Sequence, residues 1–364
     1  ARIIVSRTTV TTAADPATDP ESRLALEPEP EPDVATDRAP PEIALPVLLE
    51  TERPEVVIEG QVTDGSTIAD VRVDDRPVRV ADDGSFKLSR AVAVGDTEVV
   101  VVAINEWGNR AERKVQVTRR LLDLDLGKFH ALVIGNNEYV GMPVLKTAIA
   151  DAEAVSDILA DDYGFEVQTL TNATRSDVIG AMSALRARLT FDDNLLIYYA
   201  GHGIVDPITE RGYWLPVDAA PDNPTNWVSN ADITDMLKAI PARHLLVIAD
   251  SCYSGTLVRA VNANLETWED RRAWLSRMAA KRSRTALSSG GLEPVTDSGG
   301  DGHSVFARTL INVLRDNTEV IDAQNLFRPV RERVAVNANQ TPQYSDVRLA
   351  GHDGGDFIFV PHRR

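Results

Sequence analysis

Asn194-Leu-Leu-Ile-Tyr-Tyr-Ala-Gly-His-Gly203 and His244-Leu-Leu-Val-Ile-Ala-Asp-Ser-Cys-Tyr-Ser-Gly255 decide how this chain is read. Each opens on an apolar run with the length and composition of a buried parallel strand, then breaks into glycine and small polar residues. In open α/β sheets, ligands bind in the crevice outside the carboxyl ends of parallel strands. The two runs therefore deliver His202 and Cys252, the only cysteine of the chain, to strand ends on a shared rim. A thiol beside an imidazole is a nucleophile paired with a base. Taken alone, a cysteine reads as a small buried hydrophobe and a histidine as a structural or surface residue. The neighbours change that reading. Ser251, Ser254 and Gly255 turn the chain sharply out of its strand, and Gly201 with Gly203 leaves space around the His202 ring.

Working outward, strand alternates with helix. Phe129-His-Ala-Leu-Val-Ile-Gly135 and Phe165-Glu-Val-Gln-Thr-Leu170 read as strands. Leu145, Ile149, Ala152, Val155 and Leu159 mark one helical face, and Val178, Met182, Leu185 and Leu189 mark another behind a Thr174/Asp177 capping pair. Further helices are predicted near 231–240, 304–314 and 323–334, with a closing strand Asp356-Phe-Ile-Phe-Val360 and a charged helical or loop segment over 264–284. The expected class is α/β, a mostly parallel sheet with helices on both faces. Upstream, over 55–119, the period changes to two: Val56–Val62, Val71–Val80, Ser85–Leu88 and Thr97–Ala103 read as strands of a compact β-sandwich. Residues 1–54, with the run Glu27-Pro-Glu-Pro-Glu-Pro32, read as a flexible acidic arm. The predicted layout is arm (1–54), sandwich (55–119) and α/β domain (120–364), the last split into a large part to about 258, a linker over about 259–284 and a small part from about 285.

Composition narrows the function. A formal charge of −17 repels phosphate backbones, and no basic stripe with interleaved aromatics opposes it, which excludes a nucleic-acid partner and favours cationic peptides. One cysteine forbids an intramolecular disulfide and a thiolate-rich zinc site. No apolar stretch reaches the roughly 20 residues of a membrane span. The chain opens on Ala1, as expected of a processed or trimmed product.

The stretch from Lys128 to Val360 resembles the caspase-like clan of cysteine peptidases, and within it metacaspases and prokaryotic orthocaspases. The residues that carry the resemblance are His130-Ala-Leu-Val-Ile-Gly-Asn136, Tyr199-Ala-Gly-His-Gly203, Tyr213-Trp-Leu-Pro-Val-Asp218 and Asp250-Ser-Cys-Tyr-Ser-Gly255, in the expected order. Residues Gly95-Asp-Thr-Glu-Val-Val-Val-Val-Ala103 and Gly108-Asn109 are similar to bacterial immunoglobulin-like modules, which implies a spacer or binding role and points to the periplasm or secretion. The clan resemblance implies a Cys252–His202 dyad, with the backbone N–H groups of Gly203 and Cys252 as the oxyanion hole. It implies no cofactor.

Metacaspase-like enzymes place acidic residues in the specificity pocket and cut after arginine or lysine. Asp151 and Asp250 stand at those positions, where desolvated carboxylates bind a guanidinium and repel an aspartate. Read without the resemblance, Asp151 is a solvated helix residue and Asp250 a strand-end turn. Relatives that need calcium carry acidic residues where this chain has Gly212, Asn230 and Ala231, so calcium independence is expected. Ala200 lacks a hydroxyl that some relatives present to the pocket, which implies looser selectivity. Arg259, Arg271, Arg272, Arg277, Lys281, Arg282 and Arg284 follow the cysteine as candidate self-cleavage sites, or as the solvated face of a helix around Trp268 and Trp274. Two other readings stay open: a catalytically silent scaffold that works through its β-module, and a thiol acyltransferase using the same dyad.

Overall fold

The computed structural model describes residues 39–206, 208–251, 267–290, 302–338 and 340–362. Cys252 and Arg259 lie outside them, as do residues 1–38 of the arm. Six strands form the central sheet: β1 (Lys128–Gly135), β2 (Glu166–Thr171), β3 (Asp193–Ala200), β4 (His244–Asp250), β5 (Ser283–Ser288) and β6 (Gln343–Asp346). Their order is β2-β1-β3-β4-β5-β6; the first five are parallel and β6 runs antiparallel beside β5. Among the described residues, six α-helices accompany it: α1 (Ala148–Asp161), α2 (Arg175–Arg188), α3 (Asn230–Ala239), α4 (Trp268–Ala280), α5 (Val305–Asp316) and α6 (Ala323–Asn337).

Every residue of β3 and β4 is buried, which explains why both strands are apolar without alternation. The side chains still alternate between faces. Leu196, Tyr198, Leu246 and Ile248 enter one core with α1, α5 and α6, while Leu195, Ile197, Leu245 and Val247 enter the other with α2 and α3. Asp250 continues the first set, so the strand period delivers its carboxyl to the α1/α5 side.

The capping pair behaves as predicted: Thr174 and Asp177 form a reciprocal capping box at the start of α2. The charged segment after the cysteine becomes α4, whose Leu275 and Ala279 pack on Leu122, Leu126, Val320 and Ile358. The strip joining the two domains is therefore core. Among the described residues, no helix is long and apolar enough to cross a membrane.

The N-terminal module is all-β. One sheet holds Glu42–Ala44, Glu55–Thr63 and Ser85–Ala91; the other holds Leu48–Thr51, Arg110–Arg119, Gly95–Asn105, Ile68–Val73 and Arg76–Pro77. Their inner faces meet around Ile58, Val71, Val99, Val101, Val115 and Val117. Two details differ from the sequence reading. The module begins before residue 55, because Ile43 is buried and Leu45 and Leu49 pack on its core; Pro40, Pro41 and Pro46 disguised those positions as arm. The single strand expected over Val71–Val80 is a hairpin, since Asp74 and Asp75 take left-handed conformations at φ 45° and 65° and turn the chain back.

Candidate active site

Strands β3 and β4 pair in the register Ala200 with Asp250, and the amide of Gly201 lies 3.4 Å from the Asp250 carbonyl oxygen. Each strand end is thus two residues short of His202 or Cys252. After Ala200 the chain turns into a small antiparallel sheet of Gly203–Val205, Gly212–Trp214 and Val228–Ser229. A Cβ on Gly203 would stand 3.2 Å from both Cβ and Oγ of Ser251, so the histidine segment packs directly on the residue that precedes Cys252. Ser289 holds the other side: its amide donates to the Ala249 carbonyl at 3.0 Å, and its Oγ stands 3.4 Å from the Ser251 carbonyl oxygen.

His202 is held at three points. Its Nε2 lies 2.8 Å from the carbonyl oxygen of Pro143. A carbonyl only accepts, so Nε2 carries the hydrogen and Nδ1 keeps its lone pair for proton transfer. The His202 amide donates to the Tyr139 hydroxyl at 2.8 Å, and the Tyr139 ring tilts against the imidazole at 4.6 Å between centroids. The Tyr199 hydroxyl stands 2.8 Å from the His202 carbonyl oxygen and 2.9 Å from that of Leu215. Gly201 is required here for a concrete reason: a Cβ would fall 2.6 Å from the Tyr139 hydroxyl and 2.7 Å from that of Tyr199.

The two acidic residues meet. Asp151, in the first turn of α1, is 1 % exposed, and Asp250 is 3 % exposed. Ser304 bridges them: its Oγ donates to Asp250 Oδ2 at 2.6 Å, and its amide faces both Asp151 oxygens at 3.3 Å. The same Oγ caps α5 by accepting from the Ala307 amide at 2.9 Å. His303 adds a contact from Nδ1 to Asp151 Oδ1 at 2.7 Å. Burial raises the Asp151 carboxyl above the ordinary range, with the His303 and Ser304 hydrogen bonds opposing that shift. Tyr198 lies below the pair; burial first, and then the charges of Asp250 and Asp151, push its hydroxyl well up.

The solvated-helix reading of Asp151 is therefore set aside. Its position on the buried stripe of α1, beside Ala152, Val155 and Leu159, was the available sequence signal. Tyr139, Pro143, His303 and Ser304 went unnoticed in the sequence. Of the basic residues after the cysteine, Arg271, Arg272 and Arg277 belong to α4. Arg284 is fully buried in β5, donating to the carbonyls of Leu237, Ile240, Ala242, Arg243 and Ser283. Gly212 lies in a strand, and Asn230 and Ala231 form the first turn of α3.

The described residues thus form an α/β domain, a sheet of five parallel strands and one antiparallel strand covered on both faces, with a histidine on a glycine-flanked strand end and buried acids beside the next strand end. Residues 128–352, more than half the chain, match the Caspase domain family, and the chain belongs to that family of cysteine peptidases. Among solved structures, a Geobacter sulfurreducens protein is similar at 22% identity, covering 60% of this chain and 92% of its own, with a TM-score of 0.44. Caspase-1 of Spodoptera frugiperda is similar at 14% identity, covering 63% and 93%, with a TM-score of 0.45. No curated protein matches the chain. The family assignment rests on the match over 128–352.

Proposed function

We propose that the chain is a cysteine endopeptidase that cuts after arginine or lysine. His202 Nδ1 takes the proton of the Cys252 thiol, and the thiolate attacks the scissile carbonyl carbon; the new carbon–sulfur bond turns the carbonyl oxygen into an oxyanion, which accepts from the backbone N–H groups of Gly203 and Cys252. Collapse breaks the carbon–nitrogen bond, and the leaving amine takes a proton from His202 Nδ1. Water, losing a proton to the same Nδ1, then hydrolyses the thioester and restores the thiol. One observation supports this reading above the others. The Pro143 carbonyl holds the Nε2–H of His202 at 2.8 Å, which leaves the lone pair of Nδ1 to take up and return the proton on a rim packed against Ser251.

The buried Asp151 and Asp250, joined through Ser304, support recognition of a basic side chain, since two desolvated carboxylates reward a cation and penalise an anion. Calcium is not required. Self-cleavage follows one of the basic residues after Cys252; of these, Arg271, Arg272 and Arg277 lie in α4 and Arg284 in β5, which a protease must first open. The test is turnover of fluorogenic peptides ending in arginine, lysine or aspartate. The basic peptides are cleaved, with or without a chelator, and cleavage disappears in Cys252→Ala and His202→Ala. Failure of every peptide with folded protein contradicts the proposal and favours a silent scaffold.

A further inference from the structure

The proposed pocket already has an occupant. His303 Nδ1 sits 2.7 Å from Asp151 Oδ1, and its ring is 25 % exposed where the carboxylate beneath is 1 % exposed. The imidazole thus stands between Asp151 and solvent. Local structure fixes it there: Gly302 takes a left-handed turn at φ 80°, and Ser304 is locked as the cap of α5 while bonded to both acids. The imidazole is one of several donors to Asp151, since Ser304 and Thr147 also hydrogen-bond to it.

We infer that His303 is an autoinhibitory contact, a built-in competitor on Asp151 that a substrate's basic side chain must replace. The inference rests on the acidic-pocket reading above. Replacing the imidazole forfeits one charge-assisted hydrogen bond. That cost is the same whether a guanidinium or an ammonium takes its place, so it lowers kcat/KM for arginine and lysine substrates alike, while their ratio is set by the carboxylates, which a guanidinium meets with two parallel N–H groups and an ammonium with a point charge.

The experiment compares kcat/KM for matched arginine and lysine peptides in the full chain and in His303→Ala and His303→Asn. Wild type prefers arginine. His303→Ala lowers KM for both peptides and raises kcat/KM for both about tenfold, a factor equivalent to about 1.4 kcal/mol, with the arginine-to-lysine ratio kept. His303→Asn, whose amide nitrogen can donate from nearly the same place, returns both values toward wild type. Values for folded His303→Ala that match wild type, with basic peptides still cleaved, overturn the role of His303 and leave the acidic pocket standing. No cleavage of either peptide by wild type overturns both. A second measurement avoids substitution at 303 altogether: in Cys252→Ala, the His303 ring nitrogens are followed by NMR as an arginine-ending peptide is added. Their resonances move as the ring leaves Asp151; peptide binding that leaves them still overturns the inference.

Discussion

At the residue scale, the site depends on glycine more than its chemistry suggests. The methyl group of Gly201→Ala would land 2.6 Å from the Tyr139 hydroxyl that accepts from the His202 amide. We predict that this variant folds, loses a few degrees in Tm, and drops at least about tenfold in kcat/KM, because small displacements of a catalytic group are costly. Ser304→Ala removes a helix cap and the donor to Asp250 together, and urea denaturation is expected to show a loss of about 1–3 kcal/mol. His202 was legible because glycine on both sides of a strand-end histidine is hard to explain otherwise. Pro143 was not, since it acts through a backbone carbonyl that every residue possesses. His303 was equally silent: its role comes from the turn at Gly302, which carries it back onto α1 across 152 positions of sequence.

At the element scale, the antiparallel strand β6 and helix α6 are tied to the sheet through a buried acid. Asp356 is pushed up to about 7 by burial and by the charge of Asp322, although Tyr344 and the amides of Gln324 and Phe357 donate to it. A carboxyl raised in the folded state binds its proton more tightly there than in the unfolded chain. Stability is then greatest at or below the unfolded value near 4, falls as pH rises toward about 7, and levels off above it. The loss across that window is on the order of 4 kcal/mol, and Asp356→Asn is expected to flatten it in denaturation curves taken at pH 5 and pH 8. Arg284 straps the end of α3 to β5, and burial lowers its guanidinium to about 9. Arg284→Ala leaves five carbonyls without that donor and is expected to cost at least about 3 kcal/mol. Strands β3 and β4 were legible because burial on both faces demands an unbroken apolar run. Strand β6, Gln-Tyr-Ser-Asp, carries no such pattern; its partner, not its composition, makes it a strand.

At the scale of the whole molecule, the β-module and the peptidase domain are joined by a short strip of core and by charge. Arg119, 4 % exposed, donates to both Glu319 oxygens at 2.6 and 2.7 Å and to the Val92 carbonyl at 3.0 Å. Glu52 and Arg53 pair with Arg272 and Glu269 on α4. These last pairs are solvated and contribute little, whereas Arg119→Ala is expected to cost about 2–4 kcal/mol by stranding Glu319, read as a lower urea midpoint. The charge of −17 and the buried acid pair both support the proposed preference for cationic substrates, one at the scale of the molecule and one at the site. The central claim concerns a single sulfur, and the chain's one cysteine makes it directly measurable by intact mass. After incubation with a peptidyl-arginine ketone that alkylates thiolates, wild type is expected to gain the mass of one inhibitor, and Cys252→Ala, His202→Ala and Asp250→Asn little or none. A protein that stays unlabelled, or that takes an aspartyl analogue as readily as the arginyl one, would contradict the account.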